Sequence, residues 1–217
     1  MPGAPAAEWA PLASPEPLRQ SFFARSALEV ARDLIGCTFL FGGAGGRIVE
    51  TEAYRQDDPC CHAYKGKTAR NAVLFGPPGH LYVYFTYGMH FCANLACEPE
   101  GTGAGVLLRA VVPEQGVGEM IARRGAEEPR LLCSGPARLA QALGIGREQN
   151  GLPVWETPLA VLSRAASDDP GGLAPRIVAT ARIGVRGGDQ KPWRFVDADS
   201  RFLSRPLPRD GRPRTTA

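Results

Sequence analysis

The sequence predicts an α+β fold: a single domain with a curved, mainly antiparallel β-sheet core, flanking helices and one protruding β-hairpin. Three observations predict it. Strand-like runs follow one another through short turns, few helical segments interrupt them, and no internal repeat is present. A length of 217 residues suits one domain. Such a chain can bury roughly 70–75% of its unfolded surface, and 44% hydrophobic residues supply the core.

The elements follow in order. Residues 1–18 are rich in Pro and Ala and are predicted to be a disordered tail. The folded domain is expected over 19–204, and a second disordered tail, basic in character, over 205–217. Ser26-Ala-Leu-Glu29 forms a capping box, in which the Ser side chain caps a backbone N–H and Glu29 reaches back. The helix it opens is expected to stop at Gly36. Cys37 to Phe41 reads as a strand, and a Gly-rich turn from Gly42 to Gly46 leads to another from Arg47 to Tyr54. The strongest β signal is His80-Leu-Tyr-Val-Tyr-Phe-Thr-Tyr-Gly-Met-His-Phe-Cys-Ala-Asn94, with Tyr87-Gly88 at the tip of a hairpin. Val106 to Val112 reads as a buried strand interrupted by Arg109. A short helix is expected after Pro113, and another from Ser134-Gly-Pro136 to a stop at Gly144. Strands near Leu159–Leu162, Arg176–Val185 and Arg194–Val196 complete the set.

Composition excludes several classes. No run of 18 or more apolar residues occurs, so no membrane span is expected. The N-terminus lacks the basic start and apolar stretch of a secretory signal, which makes a cytoplasmic or nucleoid-associated location the expectation. Six cysteines, at 37, 60, 61, 92, 97 and 133, are expected to be reduced thiols. Cys60-Cys61-His62 with Cys92 and Cys97 raises zinc as a question, but adjacent cysteines lack the spacing of structural zinc sites. The net charge of +3 is unevenly spread. From Arg182 onward, eight Arg and Lys191 stand against four Asp, a local +5, so the rest of the chain carries −2. That region is either a footprint for phosphate or a solvated tail.

Alternation along the second strand puts Glu50, Glu52 and Tyr54 on one face, a poor core surface and a reasonable active-site wall. The plain alternative is one solvated acid and one salt-bridged acid. His62, on the following loop, is free to bind a ligand or simply to face solvent. Tyr82 and Tyr84 share one face of the hairpin, Val83 and Phe85 the other. Tyr87 projects at the tip, either as a wedge into a base stack or packed on its own sheet. Arg109, inside an apolar strand, needs a carboxylate or phosphate partner, and Glu52 would satisfy it.

Four runs, in order and spacing, resemble the alkyladenine (3-methyladenine) DNA glycosylase family. They are Val49-Glu-Thr-Glu-Ala-Tyr54, the His80–Asn94 run, Gly105-Val-Leu-Leu-Arg-Ala110 and Cys133-Ser-Gly-Pro136, and the similarity spans about residues 20 to 203. The resemblance implies a base-excision-repair enzyme that flips a damaged purine from double-stranded DNA and hydrolyses its N-glycosidic bond, with no cofactor and no metal. It further implies that Glu52 activates the water, that Arg109 helps to hold the water and a phosphate, and that the backbone carbonyl of Ile183 contacts the water. Tyr54, His62 and Tyr84 are implied to stack on and hydrogen-bond the flipped base, and Asn94 to crowd the exocyclic amino group of normal guanine. Tyr87 is implied to fill the gap left in the duplex, with the hairpin entering the minor groove. Base flipping needs only a monomer, and a monomer is expected.

The match has departures. His90 stands where relatives often carry an aromatic, Thr86 where an aliphatic is common, and the loop from Arg55 to Cys61 is about one residue shorter than in some relatives. Lys65, Lys67 and Lys191 are the only lysines, and none is marked as an activated amine, so a monofunctional enzyme is expected. Rival readings are a carbohydrate glycosidase using Glu50 and Glu52, a non-catalytic binder of distorted DNA, and a zinc-binding regulator.

Overall fold

The computed structural model describes residues 15–164, 174–185 and 191–207. The tail expectations for residues 1–14 and 208–217 lie outside the described residues. In chain order the elements are α1 (Gln20–Phe23), α2 (Ala27–Asp33), β1 (Thr38–Phe41), β2 (Ala44–Tyr54), β3 (Leu81–Thr86), β4 (His90–Ala96), β5 (Gly105–Val111), α3 (Val117–Arg124), α4 (Pro129–Cys133), α5 (Pro136–Leu143), β6 (Leu159–Leu162), β7 (Ile177–Thr180) and β8 (Arg194–Asp197). Short 3₁₀ turns lie at Ala72–Phe75 and Arg147–Gln149.

The strands form one curled antiparallel sheet in the order β3-β4-β5-β2-β1-β6, with β8 pairing to β2 and carrying β7. Strand β2 is the hub. Its first residues pair with β1, Glu50 to Glu52 pair with β8, and β5 runs along its other edge. The register with β5 shifts around Glu50, a β-bulge of the kind that bends a strand and re-aims its side chains.

Antiparallel pairing lines residues up across strands on a common face. One such row runs Tyr82–Asn94–Leu107–Glu52–Arg194 through β3, β4, β5, β2 and β8. Polar and aromatic groups therefore share one side of the sheet. The opposite side carries Leu81, Val83, Ala93, Leu95, Val106 and Leu108, which pack with α2 and α5 in the main core. Thr51 belongs to that side and ties β2 to α2 through a bond from its hydroxyl to the Ala31 carbonyl, 2.8 Å.

Helix α2 starts where the capping signal placed it. Ser26 Oγ accepts the Leu28 N–H, but the Glu29 half of the expected box does not form; Glu98 Oε1 accepts a further first-turn donor, the Ala27 N–H. The helix ends at Asp33, earlier than expected, and the turn after it closes at Gly36, which has φ +90°. The Gly-rich turn is tighter than expected, because only Gly42 and Gly43 form it and Ala44 already pairs in β2. Gly45 and Gly46 are glycines for a different reason. A Cβ on Gly45 would lie 2.0 Å from the Phe39 carbonyl oxygen, and one on Gly46 would lie 1.9 Å from that of Val112.

Helix α5 runs between Gly135 and Gly144 as expected, and α3 begins at Val117. Helices α1 and α4 were not anticipated; four or five residues are too few to show a 3.6-residue period. The strand expected over Arg176–Val185 is shorter, ending at Thr180, because Ala181 to Val185 turn in toward the acids of β2. At the N-terminal side, Pro17 bridges Leu162 and the Leu18 N–H bonds to the Val161 carbonyl, so the chain joins the sheet slightly before residue 19.

Candidate active site

The polar side of the sheet opens into a cavity of about 630 Å³, bordered by Tyr54, His62, Tyr84, Asn94, Arg109 and Ile183, with Tyr87 and His90 at its edge. Every residue implied by the sequence except Glu52 lines this space, and Glu52 lies behind it, bonded to three of the liners. Glu52 has no exposed surface. Its Oε2 accepts the Tyr54 hydroxyl at 2.8 Å and Arg109 Nη1 at 3.2 Å. Its Oε1 accepts the backbone N–H of Ile183 at 2.7 Å. Ile183 thus meets the acid through its amide nitrogen, a contact separate from the one to water that the resemblance implies for its carbonyl.

Arg109, the charge inside an apolar strand, finds two carboxylates. Nε donates to Glu50 Oε1 at 2.9 Å, and Nη2 donates to Ser204 Oγ at 3.2 Å. Glu50 is itself held by four donors. Its Oε1 also receives Arg194 Nε at 2.7 Å and the Ser204 hydroxyl at 2.7 Å, and its Oε2 receives the Ser204 N–H at 2.6 Å. Burial pushes the Glu50 carboxyl up, but Arg194 and Arg109 outweigh burial and hold it below the usual carboxylate range. A fully buried carboxylate that holds two arginines and both donors of Ser204 is committed to tying strands together rather than to meeting a sugar. This removes the basis for pairing Glu50 with Glu52 as the two acids of a carbohydrate glycosidase.

The aromatic wall is assembled from β3 and the loop after β2. Tyr82 and Tyr84 stack with centroids 5.7 Å apart, and the His62 ring meets Tyr84 edge-on at 4.5 Å. His62 Nδ1 lies 3.0 Å from the Tyr82 hydroxyl. Burial against these rings, then Arg70, lowers the His62 pKa, so the neutral imidazole is favoured. Burial and the Glu52 charge push the Tyr54 hydroxyl far up, keeping it a donor. Burial also raises Tyr84, and raises Tyr82 to about 12. Asn94 is held by a bond from its Nδ2 to the Tyr82 carbonyl, 3.2 Å. Two of the cysteines grouped with His62 part company: Cys92 faces the cavity and Cys97 belongs to the main core. None of the six cysteines, all among the described residues, forms a disulfide.

Tyr87 stands at the hairpin tip with 86% of its surface exposed and φ +51°, a conformation uncommon for a residue with a Cβ. With that exposure it does not pack on its own sheet. Met89 beside it is also exposed.

Several participants escaped the sequence reading. Arg182 is buried against Tyr54, its guanidinium 4.6 Å from the ring centroid, and is held by an ion pair with Asp58 and a 3.1 Å bond to the Ala53 carbonyl. Asn71 ties the His62 loop shut by bonding the carbonyls of His62 and Gly66 and accepting from Thr68. Arg194 and Ser204 anchor Glu50. The one available signal was polar residues within apolar strand patterns, which marks Arg194 but not the loop residues.

Among the described residues, no helix is long and apolar enough to cross a membrane. The family described as "Methylpurine-DNA glycosylase (MPG)" matches residues 21–201. A Rhodopseudomonas palustris protein named "Putative 3-methyladenine DNA glycosylase" is 55% identical over 192 residues, covering 88% of this chain and 90% of its own length. Proteins of the same name from Nitrobacter winogradskyi (48% identical, covering 88% and 89%) and Bradyrhizobium diazoefficiens (45% identical, covering 95% and 100%) are similarly alike. With a buried acid behind an aromatic cavity, and relatives alike over nearly their full length, this chain belongs to the methylpurine-DNA glycosylase family, DNA-repair hydrolases that act on N-glycosidic bonds.

Proposed function

We propose that the protein flips alkylated or deaminated purines (3-methyladenine, 7-methylguanine, ethenoadenine, hypoxanthine) out of double-stranded DNA into the cavity. It then hydrolyses the N-glycosidic bond with a water activated by Glu52 and stops at the abasic site. The observation that carries this reading is the Glu52 carboxylate, buried and held on three sides behind an aromatic cavity. At about 630 Å³ the cavity is in the range of small-molecule sites.

The chemistry follows from the atoms. Glu52 Oε2 accepts two bonds and Oε1 accepts one among the described residues, so Oε1 has the lone pair open to a water proton. Because Glu52 is shielded from bulk solvent, the water it activates is one admitted through the cavity beside the bound base. Its charge also stabilises the positive charge that develops on the sugar. Flipping costs a few kcal/mol, least for a damaged or mismatched base, so selection starts at extrusion. The tyrosine rings favour cationic, alkylated purines by cation–π attraction. A neutral His62 adds no repelling charge to such a ring. Among the described residues lining the cavity none is a lysine, which fits hydrolysis rather than an amine nucleophile and strand cleavage. Tyr87, exposed at the tip, fills the gap left by the flipped nucleotide.

The test is release of free base from duplexes carrying each of the four lesions, with alkali revealing abasic sites. Wild type releases at least one base, while Glu52→Gln binds the same duplex and excises about 10³-fold more slowly. Equal rates for the two proteins would overturn the role of Glu52. Lesion binding without release by either protein would make this a non-catalytic damage binder.

A further inference from the structure

The cluster behind Glu52 contains a second acid with no part in the reaction as described. Glu50 receives Arg109 from β5, Arg194 from β8, and both the N–H and hydroxyl of Ser204. Arg194 extends the cluster, donating to Thr180 Oγ1 at 3.0 Å and the Arg205 carbonyl at 2.9 Å. The stretch from 194 to 204 and strand β5 therefore meet on one carboxylate of β2.

The geometry points to Glu50, Arg194 and Ser204 as positioning residues that set the orientation of Arg109 and the charge balance at Glu52. This inference rests on the proposed role of Glu52 as the base. A guanidinium is planar, so fixing Nε on Glu50 and Nη2 on Ser204 fixes where Nη1 points, which is at Glu52 Oε2. The charges also divide. Two buried arginines face two buried carboxylates, and Glu50 engages both arginines while Glu52 touches only Arg109. Were Glu50 neutral, both cations would act on Glu52 alone. That would over-stabilise its ionised form and make it a poorer acceptor of the water's proton. The bulge at Glu50 serves this arrangement by letting β5 present Arg109 to both acids.

The experiment is single-turnover excision from a lesion duplex at saturating enzyme, as a function of pH, for wild type, Glu50→Gln, Arg194→Lys and Ser204→Ala. Duplex affinity and the thermal unfolding midpoint are measured on each. The expected result is a rate about 100-fold lower in Glu50→Gln and about tenfold lower in Ser204→Ala, with affinity within about threefold of wild type. The acid limb of the Glu50→Gln profile moves to lower pH, a change that loss of packing alone would not cause. If Glu50→Gln does not fold, Arg194→Lys and Ser204→Ala decide: rates within about twofold of wild type overturn the inference. A lower rate with an unmoved acid limb, falling in step with affinity and unfolding midpoint, overturns it too. Wild type that excises nothing overturns the parent reading first, and this one with it.

Discussion

A carboxylate without exposed surface survives burial only when its charge is answered, and here Tyr54, Arg109 and the Ile183 N–H answer Glu52. His62 shows the opposite adjustment. Its pKa is lowered, so the folded state holds the neutral ring while the unfolded chain takes up a proton near pH 6.5. The sign follows: between the unfolded and folded values the unfolded state binds more protons, and acid shifts the balance toward it. Wild type therefore loses stability relative to His62→Gln as pH falls below about 6.5, and the two run parallel above it. Thermal midpoints measured from pH 8 to pH 5 check this, and parallel curves throughout would contradict it. Protonation of the folded state comes only at lower pH; it places a positive charge against the base pocket, so binding of a cationic lesion weakens there. At this scale Glu52, Tyr54, Arg109 and Tyr84 were legible because motif and alternation agreed. Arg182, Asn71 and Ser204 were not. Arg182 and Ser204 take their partners from segments 95 to 154 residues away, and Asn71 works inside a loop that has no helix or strand period, so no local pattern marks them.

Most strands could be read from the alternation of side chains and the glycine stops, though not their order in the sheet, and the hairpin of β3 and β4 closes on Tyr87-Gly88 as expected. What the sequence left unread was the length of elements set by tertiary pull. The segment after Thr180 is drawn from the sheet by Arg182 and Ile183, and the Gly-rich turn shrinks because two of its glycines allow backbones to approach. Gly46→Ala forces a Cβ onto the Val112 carbonyl oxygen, backbone that cannot swing aside. It should destabilise the fold by about 3 kcal/mol in urea unfolding, the upper end for overpacking. An unchanged midpoint would mean that β2 and the Val112 strand end slide apart at little cost. The hairpin tip makes a contrasting prediction. Tyr87 holds a left-handed backbone with its side chain in solvent, so Tyr87→Gly relieves strain and raises the unfolding midpoint. The same substitution weakens lesion-duplex binding about tenfold or more, because a stacking contact is lost. Stability and binding thus move in opposite directions, which separates a residue kept for DNA from one kept for folding.

Across the whole molecule, the cavity lies over β2 to β5, with residues 183 to 185 at its border. The Glu50 cluster closes only when residues 194 to 205 return to β2, so the C-terminal stretch completes a site begun near residue 50. Leu203 and Leu207 pack with Val49, Ala110 and Val196 beneath that cluster. The boundary of the working enzyme can therefore be placed by truncation. A chain ending at Leu207 keeps every described contact of the cluster. It should match full-length protein in unfolding midpoint and in single-turnover excision, while its duplex affinity becomes less steep in salt, since Arg209, Arg212 and Arg214 are removed. Ending the chain at Leu203 removes the Ser204 donors, the Arg205 carbonyl and the Leu207 packing together. That shorter chain should lose at least about 100-fold in excision rate. Full activity in the chain ending at Leu203 would show that Arg109 keeps its orientation without the returning segment. An unchanged salt slope in the chain ending at Leu207 would show that the terminal arginines meet solvent rather than phosphate.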